Sequence, residues 1–246
     1  MKKKILIISD NVLLCSELKK IFFEYKHKYV FSFSVSPHSN VNNFMKELNE
    51  KVYVFNLKDE NDVQNIVLNY NLVLSIHCKQ LFPKELFNSV KCINIHPGYN
   101  PINRGWYPQV FAIINNREVG ATIHEIDEEI DHGSIIVRGL VEKEILDTSK
   151  TLYDKIVRKE IELVRDNLEI ILDESYTAFS PEEKGYLHLK KDFKDLCQLD
   201  LNEISTTFEF INKLRALSHG DFKNAYFIDP VSKKKIFVSI DLKTEF

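Results

Sequence analysis

"CINIHPGYNPINRGWYPQ" spans Cys92–Gln109. It opens as a strand in which apolar Ile93 and Ile95 alternate with Asn94 and His96. Residues two apart on a strand project from one face, so an amide and an imidazole emerge together at the strand's carboxyl end. The chain then enters a stiff, aromatic loop. Pro97, Pro101 and Pro108 restrict φ, Gly98 and Gly105 allow close backbone approach, and Tyr99, Trp106 and Tyr107 supply rings. Polar groups gathered at the carboxyl end of a strand are what an open α/β sheet offers a ligand.

The flanking sequence has the alternation such a sheet needs. Upstream, Lys4–Ser9 is a near-continuous apolar run, the pattern of a central parallel strand. Asp10 or Asn11 can cap a helix with Val12, Leu13, Cys15, Leu18, Ile21 and Phe22 on its apolar face. Val30–Val35, Val52–Leu57, Leu72–Ser75 and Val90–Ile95 read as strands, with helical patterns at Glu60–Tyr70 and Lys84–Asn88. Downstream, a helix is expected at Pro108–Asn115, with proline in its first turn, and strands at Val119–Glu125 and Ser134–Val141. A long helix should follow Asp147-Thr148-Ser149 and bury Leu152, Ile156, Ile161, Val164, Leu168 and Leu172. After residue 178 the character changes. Asp200-x-x-Glu203 reads as a capping box for a helix running to Leu217, and AYFID and KKIFVSID flank a hairpin turn. The division expected is an α/β domain over 1–178 and a small helix-and-hairpin module over 179–246.

Composition bounds the function. The chain has 246 residues, 44% hydrophobic and 28% charged, as in ordinary globular proteins. A net charge of −3 argues against a general nucleic-acid binder. Cys15, Cys78, Cys92 and Cys197 form neither a CxxC pair nor a metal-like spacing, and read as reduced thiols of a cytoplasmic protein. No segment approaches the roughly 20 apolar residues of a membrane span. The first strand runs into Ser-Asp-Asn, so the Gly-rich dinucleotide fingerprint is missing.

Asp131, in the turn Ile130-Asp131-His132-Gly133 between two expected strands, is a third polar group that can reach the crevice. Singly, Asn94, His96 and Asp131 each read as ordinary turn or packing residues, as do His124 and His132. Asp127, Glu128 and Glu129 read as solvated charges whose backbone can line a pocket.

Together, NIH at Asn94–His96, the loop with Arg104-Gly105, GATIHEID at Gly120–Asp127 and IDHGSII at Ile130–Ile136 resemble the folate-dependent formyltransferases. Their pattern is Asn-x-His followed about three dozen residues later by Asp-x-Gly, here Asn94, His96, Asp131 and Gly133. The resemblance covers about residues 1–175. HPGYNPINRGWYPQ departs from the Ser-Leu-Leu-Pro of the initiator-tRNA and purine-pathway members. It is similar instead to enzymes that formylate a nucleotide-linked 4-amino sugar, in particular dTDP-4-amino-4,6-dideoxyglucose, as is Arg215–Phe227.

That resemblance implies a Rossmann-like fold with a mostly parallel sheet, 10-formyltetrahydrofolate as donor, no metal, and a homodimer making sugars for surface polysaccharide (O-antigen). It implies Asn94, His96 and Asp131 as catalytic residues. It places Ser75, Ile76, His77, Lys79, Leu81, Asp127 and Ile130 on the folate. Asn11, Asn103, Arg104, Gly105, Trp106, Tyr107, Lys190, Arg215, His219 and Tyr226 are expected on the nucleotide sugar. Formyl transfer to an amine needs a donor for the tetrahedral oxyanion and a path for protons. Asn94 suits the first task, and the sequence leaves open whether His96 or Asp131 is the immediate base. Competing readings are formylation of initiator tRNA or a purine intermediate, and a non-catalytic folate or nucleotide sensor.

Overall fold

A computed structural model describes residues 2–245. Strand β1 (Lys3–Ser9) leads to helix α1 (Val12–Glu24), whose N-cap is Asn11; its side chain accepts from the Leu14 N–H at 3.2 Å. Then come β2 (Tyr29–Val35), α2 (Val41–Leu48), β3 (Val52–Val54), α3 (Glu60–Asn69), β4 (Leu72–Ile76), α4 (Lys84–Ser89) and β5 (Lys91–His96). The loop after His96 holds the short β6 (Arg104–Gly105) and ends at α5 (Pro108–Ile114), with Pro108 at its first position. Strands β7 (Val119–Glu125) and β8 (Ile135–Val141) precede the 24-residue α6 (Ser149–Leu172), capped by Thr148. The rest comprises β9 (Leu187–His188), α7 (Lys190–Cys197), α8 (Thr207–Leu217), β10 (Tyr226–Ile228) and β11 (Lys235–Phe237).

Seven strands form one sheet in the order β3-β2-β1-β4-β5-β7-β8. The first five run parallel, and β7 and β8 continue antiparallel. The chain winds from β1 outward to β2 and β3, then returns past β1 to β4. The crevice for a ligand therefore opens beyond the carboxyl ends of β1 and β4, beside β5.

Both sheet faces are covered, which is why β1 reads as a continuous apolar run. Ile5 and Ile7 pack with Leu14, Leu18 and Phe22 of α1 and with Leu152, Ile156, Val164 and Leu168 of α6. Leu6 and Ile8 pack on the other face with Val63, Ile66 and Leu86. Each such side chain contributes about 1.5–3 kcal/mol through burial. A third cluster, Leu199, Leu214, Leu217 and Ala225, lies wholly in the C-terminal region.

Three expectations change. Helix α2 has too few apolar residues to announce itself; Phe44 and Leu48 alone are buried. The strand expected over Val52–Leu57 stops at Val54, and Phe55 and Leu57 turn into the second cluster. The C-terminal helix is capped by Thr206 with Glu209, six residues beyond the expected box. Asp200 instead closes a turn, accepting the Asn202 N–H at 2.9 Å. Among the described residues no helix is long and apolar enough to cross a membrane.

Candidate active site

Strand β5 ends on His96, and antiparallel β7 sets His124 opposite Asn94 and Thr122 opposite His96. The turn beyond β7 brings Asp131 back over this end with a positive φ of 48°. Asn94 Nδ2 donates to Asp131 Oδ1 at 2.9 Å, and the Gly105 N–H donates to Oδ2 at 3.0 Å. His96 Nδ1 stands 3.4 Å from Oδ2, and His124 Nε2 stands 3.4 Å from Oδ1. Gly98 makes this possible, because a Cβ there would lie 2.4 Å from His96 Nε2 and from the Asn103 carbonyl.

The hydrogen bonds fix the imidazoles. His96 Nε2 lies 2.9 Å from the Asn103 carbonyl, which only accepts, so Nε2 carries a proton and donates. In the neutral ring Nδ1 is then the lone-pair nitrogen, facing Asp131. Burial lowers the His96 pKa, against the opposing pull of the Asp131 charge and the Asn103 carbonyl. Burial pushes the Asp131 carboxyl up, but His96 and His124, through the charge each carries when protonated, and the Gly105 N–H hold it well below the usual carboxylate range. An ionised carboxylate therefore sits beside an imidazole kept neutral, an arrangement that can accept a proton and stabilise the resulting cation.

These groups open into a cavity of about 1140 Å³, large enough for two substrates. One wall continues the α1 and α6 face: Asn11, Tyr107 and Tyr153, with Ser149, Phe193, Lys190 and His219 beyond. The other wall, Lys79–Phe82 and Ile126–Ile130, continues the α3 and α4 face through Phe82 and Ile126. Asn94, His96 and Asp131 line the same cavity.

A family model described as "Formyl transferase" matches residues 26–168, more than half of the chain. The chain belongs to the formyl transferase family. A second model, "N-formyltransferase dimerization C-terminal domain", matches residues 192–244. The chain is 52% identical over 183 residues to a dTDP-4-amino-4,6-dideoxyglucose formyltransferase of Mycobacterium tuberculosis, covering 74% of this chain and 78% of that one. It superimposes on a sugar N-formyltransferase from a Shewanella species with a TM-score of 0.93 at 40% identity, covering 99% of both chains. A 4-N formyltransferase from Francisella tularensis gives 0.92 at 41% identity, again over 99% of both. The chain is thus a sugar N-formyltransferase with the expected Rossmann-like, mostly parallel fold.

Of the residues expected on ligands, Ser75, His77, Lys79, Leu81, Asp127 and Ile130 line this formyltransferase's cavity. So do Asn11, Gly105, Trp106, Tyr107, Lys190 and His219, with Lys190 Nζ 3.8 Å above the Trp106 ring. Five do not. Ile76 is fully buried in the core. Asn103 folds its own loop, with Oδ1 accepting the Tyr99 N–H at 3.1 Å. Arg104 is a clamp: Nε donates to the Ile130 carbonyl, Nη1 to the Lys184 carbonyl, and Nη2 to Glu129 at 3.0 Å. Tyr226 belongs to the hairpin and donates to Gln198. Arg215, 4% exposed, donates to the carbonyls of Asp147 and Glu144 and to Asn212. Arg215→Ala should therefore act on stability. The buried Asp147 carbonyl and the partly buried Glu144 carbonyl lose their partner, worth about 1–3 kcal/mol. The expected result is a lower urea midpoint with unchanged ligand affinity in the folded protein; weaker nucleotide binding at equal stability would return Arg215 to the site.

Sequence reasoning missed His124, Tyr153 and Glu160. His124 donates from Nδ1 to the Glu125 carbonyl at 2.6 Å, leaving Nε2 facing Asn94 at 3.3 Å. Its signal was the strand register, because it stands directly opposite Asn94. Among the described residues, no group of three or more His, Cys, Asp or Glu is placed to hold a metal ion.

Proposed function

We propose that this enzyme transfers a formyl group from 10-formyltetrahydrofolate to the 4-amine of dTDP-4-amino-4,6-dideoxyglucose. One observation carries the reading: Asn94, His96 and Asp131 converge in one cavity with two walls of different character. The wall of Lys79–Phe82 and Ile126–Ile130 suits the flat folate. The opposite wall, with Trp106, Tyr107, Phe193, Lys190 and His219, suits an aromatic base and a diphosphate. The 52% identical relative, whose name carries this sugar, supports this acceptor.

The neutral amine attacks the formyl carbon, and the carbonyl electrons move to oxygen. Both Asn94 hydrogens have partners, Asp131 at 2.9 Å and His124 at 3.3 Å. We assign the more weakly held second hydrogen to the oxyanion, which displaces His124. His96 Nδ1 accepts the amine proton while Asp131 stabilises the imidazolium. The tetrahedral intermediate then collapses: the C–N bond to the folate breaks and the folate nitrogen receives from His96 the proton taken from the amine. We place the enzyme in the cytoplasm, supplying a formamido sugar for surface polysaccharide. We also keep the division at residues 178 and 179, and propose a homodimer through the C-terminal module, where Phe208, Phe210, Val231 and Phe237 are exposed; a single-subunit mass by light scattering would remove the dimer.

The decisive assay incubates the purified chain with 10-formyltetrahydrofolate and a panel of nucleotide-linked amino sugars, followed by mass spectrometry. One formyl mass should appear on the dTDP-4-amino sugar. No gain on any acceptor would overturn the reading.

A further inference from the structure

The acceptor wall carries a second polar cluster that formyl transfer does not use. Asn11 follows β1 and His77 follows β4, at the point where the sheet order reverses. Tyr153 and Glu160 stand two turns apart on α6. Glu160 is fully buried; its Oε1 lies 2.8 Å from His77 Nε2, and its Oε2 has no partner among the described residues. His77 has a φ of 50°, in a backbone region that side-chain-bearing residues seldom adopt.

The direction of every bond in the cluster can be assigned. A carboxylate accepts, so His77 Nε2 carries the proton. Asn11 Oδ1 is held by the Leu14 N–H, which orients the amide and leaves Nδ2 as donor. One Asn11 hydrogen points at His77 Nδ1, 3.2 Å away, and so requires the neutral ring; the other goes to the Tyr153 oxygen at 3.1 Å. His77 Nδ1 has a single lone pair, for which Asn11 at 3.2 Å and the Tyr153 hydroxyl at 3.3 Å compete. The Tyr153 hydroxyl already accepts from Asn11, so it can only donate, and a charged oxygen in the cavity it lines is a stronger acceptor for that hydrogen than the shared Nδ1.

We infer that Glu160, His77 and Asn11 form a one-directional relay that fixes the Tyr153 hydroxyl as a donor to a phosphate oxygen of the nucleotide-linked acceptor. This rests on the acceptor assigned above. A donor locked in one sense suits a group that only accepts, as a phosphate oxygen does; a sugar hydroxyl needs no such lock. The surroundings agree. His219 lies edge-on to Tyr153, ring centroids 5.6 Å apart, with Nδ1 3.0 Å from Ser149 Oγ. The acidic lining residues are elsewhere engaged or across the cavity: Asp10 accepts from Ser36, Ser39 and Lys79, and the others lie in the 127–131 loop. Tyr153 is the binding residue; His77 and Glu160 are positioning residues.

Calorimetry with dTDP tests this on the full chain. A hydrogen bond to a charged group is worth enough that Tyr153→Phe should weaken dTDP about 10–100-fold. KM for the nucleotide sugar should rise by a similar factor with kcat within about twofold, and folate affinity should hold. Glu160→Gln lets the amide donate to Nε2, reversing the ring's tautomer and the relay. It should cost a similar factor alone and nothing further in the Tyr153→Phe background. Asn11→Asp, which keeps an acceptor for Leu14 but cannot donate to Tyr153, serves if Glu160→Gln does not fold. Wild-type affinity in Tyr153→Phe, or losses that add in the double variant, overturns the relay while leaving the acceptor assignment standing. Wild-type protein that binds no dTDP overturns that assignment and the relay with it.

Discussion

Asparagine at position 131 should lower turnover by about 10²–10⁴-fold, the range for losing one member of a proton-transfer pair. The substitution keeps the shape and removes the charge. Oδ1 can still accept from Asn94, so the fold should persist, although the amide nitrogen in place of Oδ2 loses the Gly105 N–H. What disappears is the anion that balances His96 once Nδ1 has taken a proton. The pH profile separates this from a packing defect. His96 must be neutral to act as a base, so turnover falls as pH drops through its pKa. Burial already sets that pKa below the ordinary 6.5, against the raising effect of Asp131. Without the carboxylate the raising effect is gone, and the residual acid limb should move to still lower pH. The acceptor amine loses nucleophilicity when protonated, so its own titration is measured and subtracted. A folded Asp131→Asn enzyme with wild-type rate and an unmoved profile would show that the two residues share no proton path.

Alanine at position 94 should cost about 10²–10³-fold in kcat, the typical loss for one oxyanion donor. KM should change little, because the bond strengthens as charge develops and contributes less in the ground state. The same truncation removes the donor to Asp131 Oδ1, while the Gly105 N–H at 3.0 Å from Oδ2 remains to hold the carboxylate. Asn94→Asp makes the contrast: it restores the side-chain shape but places a second carboxylate against Asp131, and should be at least as inactive. Stopped-flow turnover with both substrates saturating checks each variant. A folded Asn94→Ala enzyme with unchanged kcat would take the residue out of the chemistry.

The cluster of Asn94, His96 and Asp131 was legible because two of its members sit two apart on a strand end, and a strand's geometry is nearly context-free. The third was legible from its spacing. The parallel core was legible because strands covered on both faces leave unbroken apolar runs. Charged residues were read less well. Arg104 and Arg215 stand where a ligand would want a cation, but the backbone carbonyls that claim them come from residues 130 and 184, and from 144 and 147. A guanidinium with five donors goes to whichever oxygens the fold brings near. Glu160 was hidden for the opposite reason. On a helix with Asp154, Lys155, Lys159 and Glu162 it looks like one more solvated charge, and only its partner His77, 83 residues away, shows it to be internal. At the second capping box, two acceptable signals lay six residues apart, and the local pattern alone does not rank them.

Gly105 is a junction between the two parts of the chain. Its N–H binds Asp131, while its strand pairs in parallel with Leu187–His188, beyond the expected boundary. The Arg104 and Trp106 N–H groups donate to the carbonyls of Tyr186 and His188 on either side of it. A Cβ at Gly105 would lie 2.2 Å from the His188 oxygen, so the two strands touch without intervening side chains. The segment that joins the two parts is thus also one jaw of the vice that grips the Asp131 carboxylate. The parts are not interchangeable cassettes: a foreign C-terminal module grafted after residue 178 would arrive without the strand that holds Gly105. Hybrids between relatives should be spliced after His188, where the pairing is kept whole.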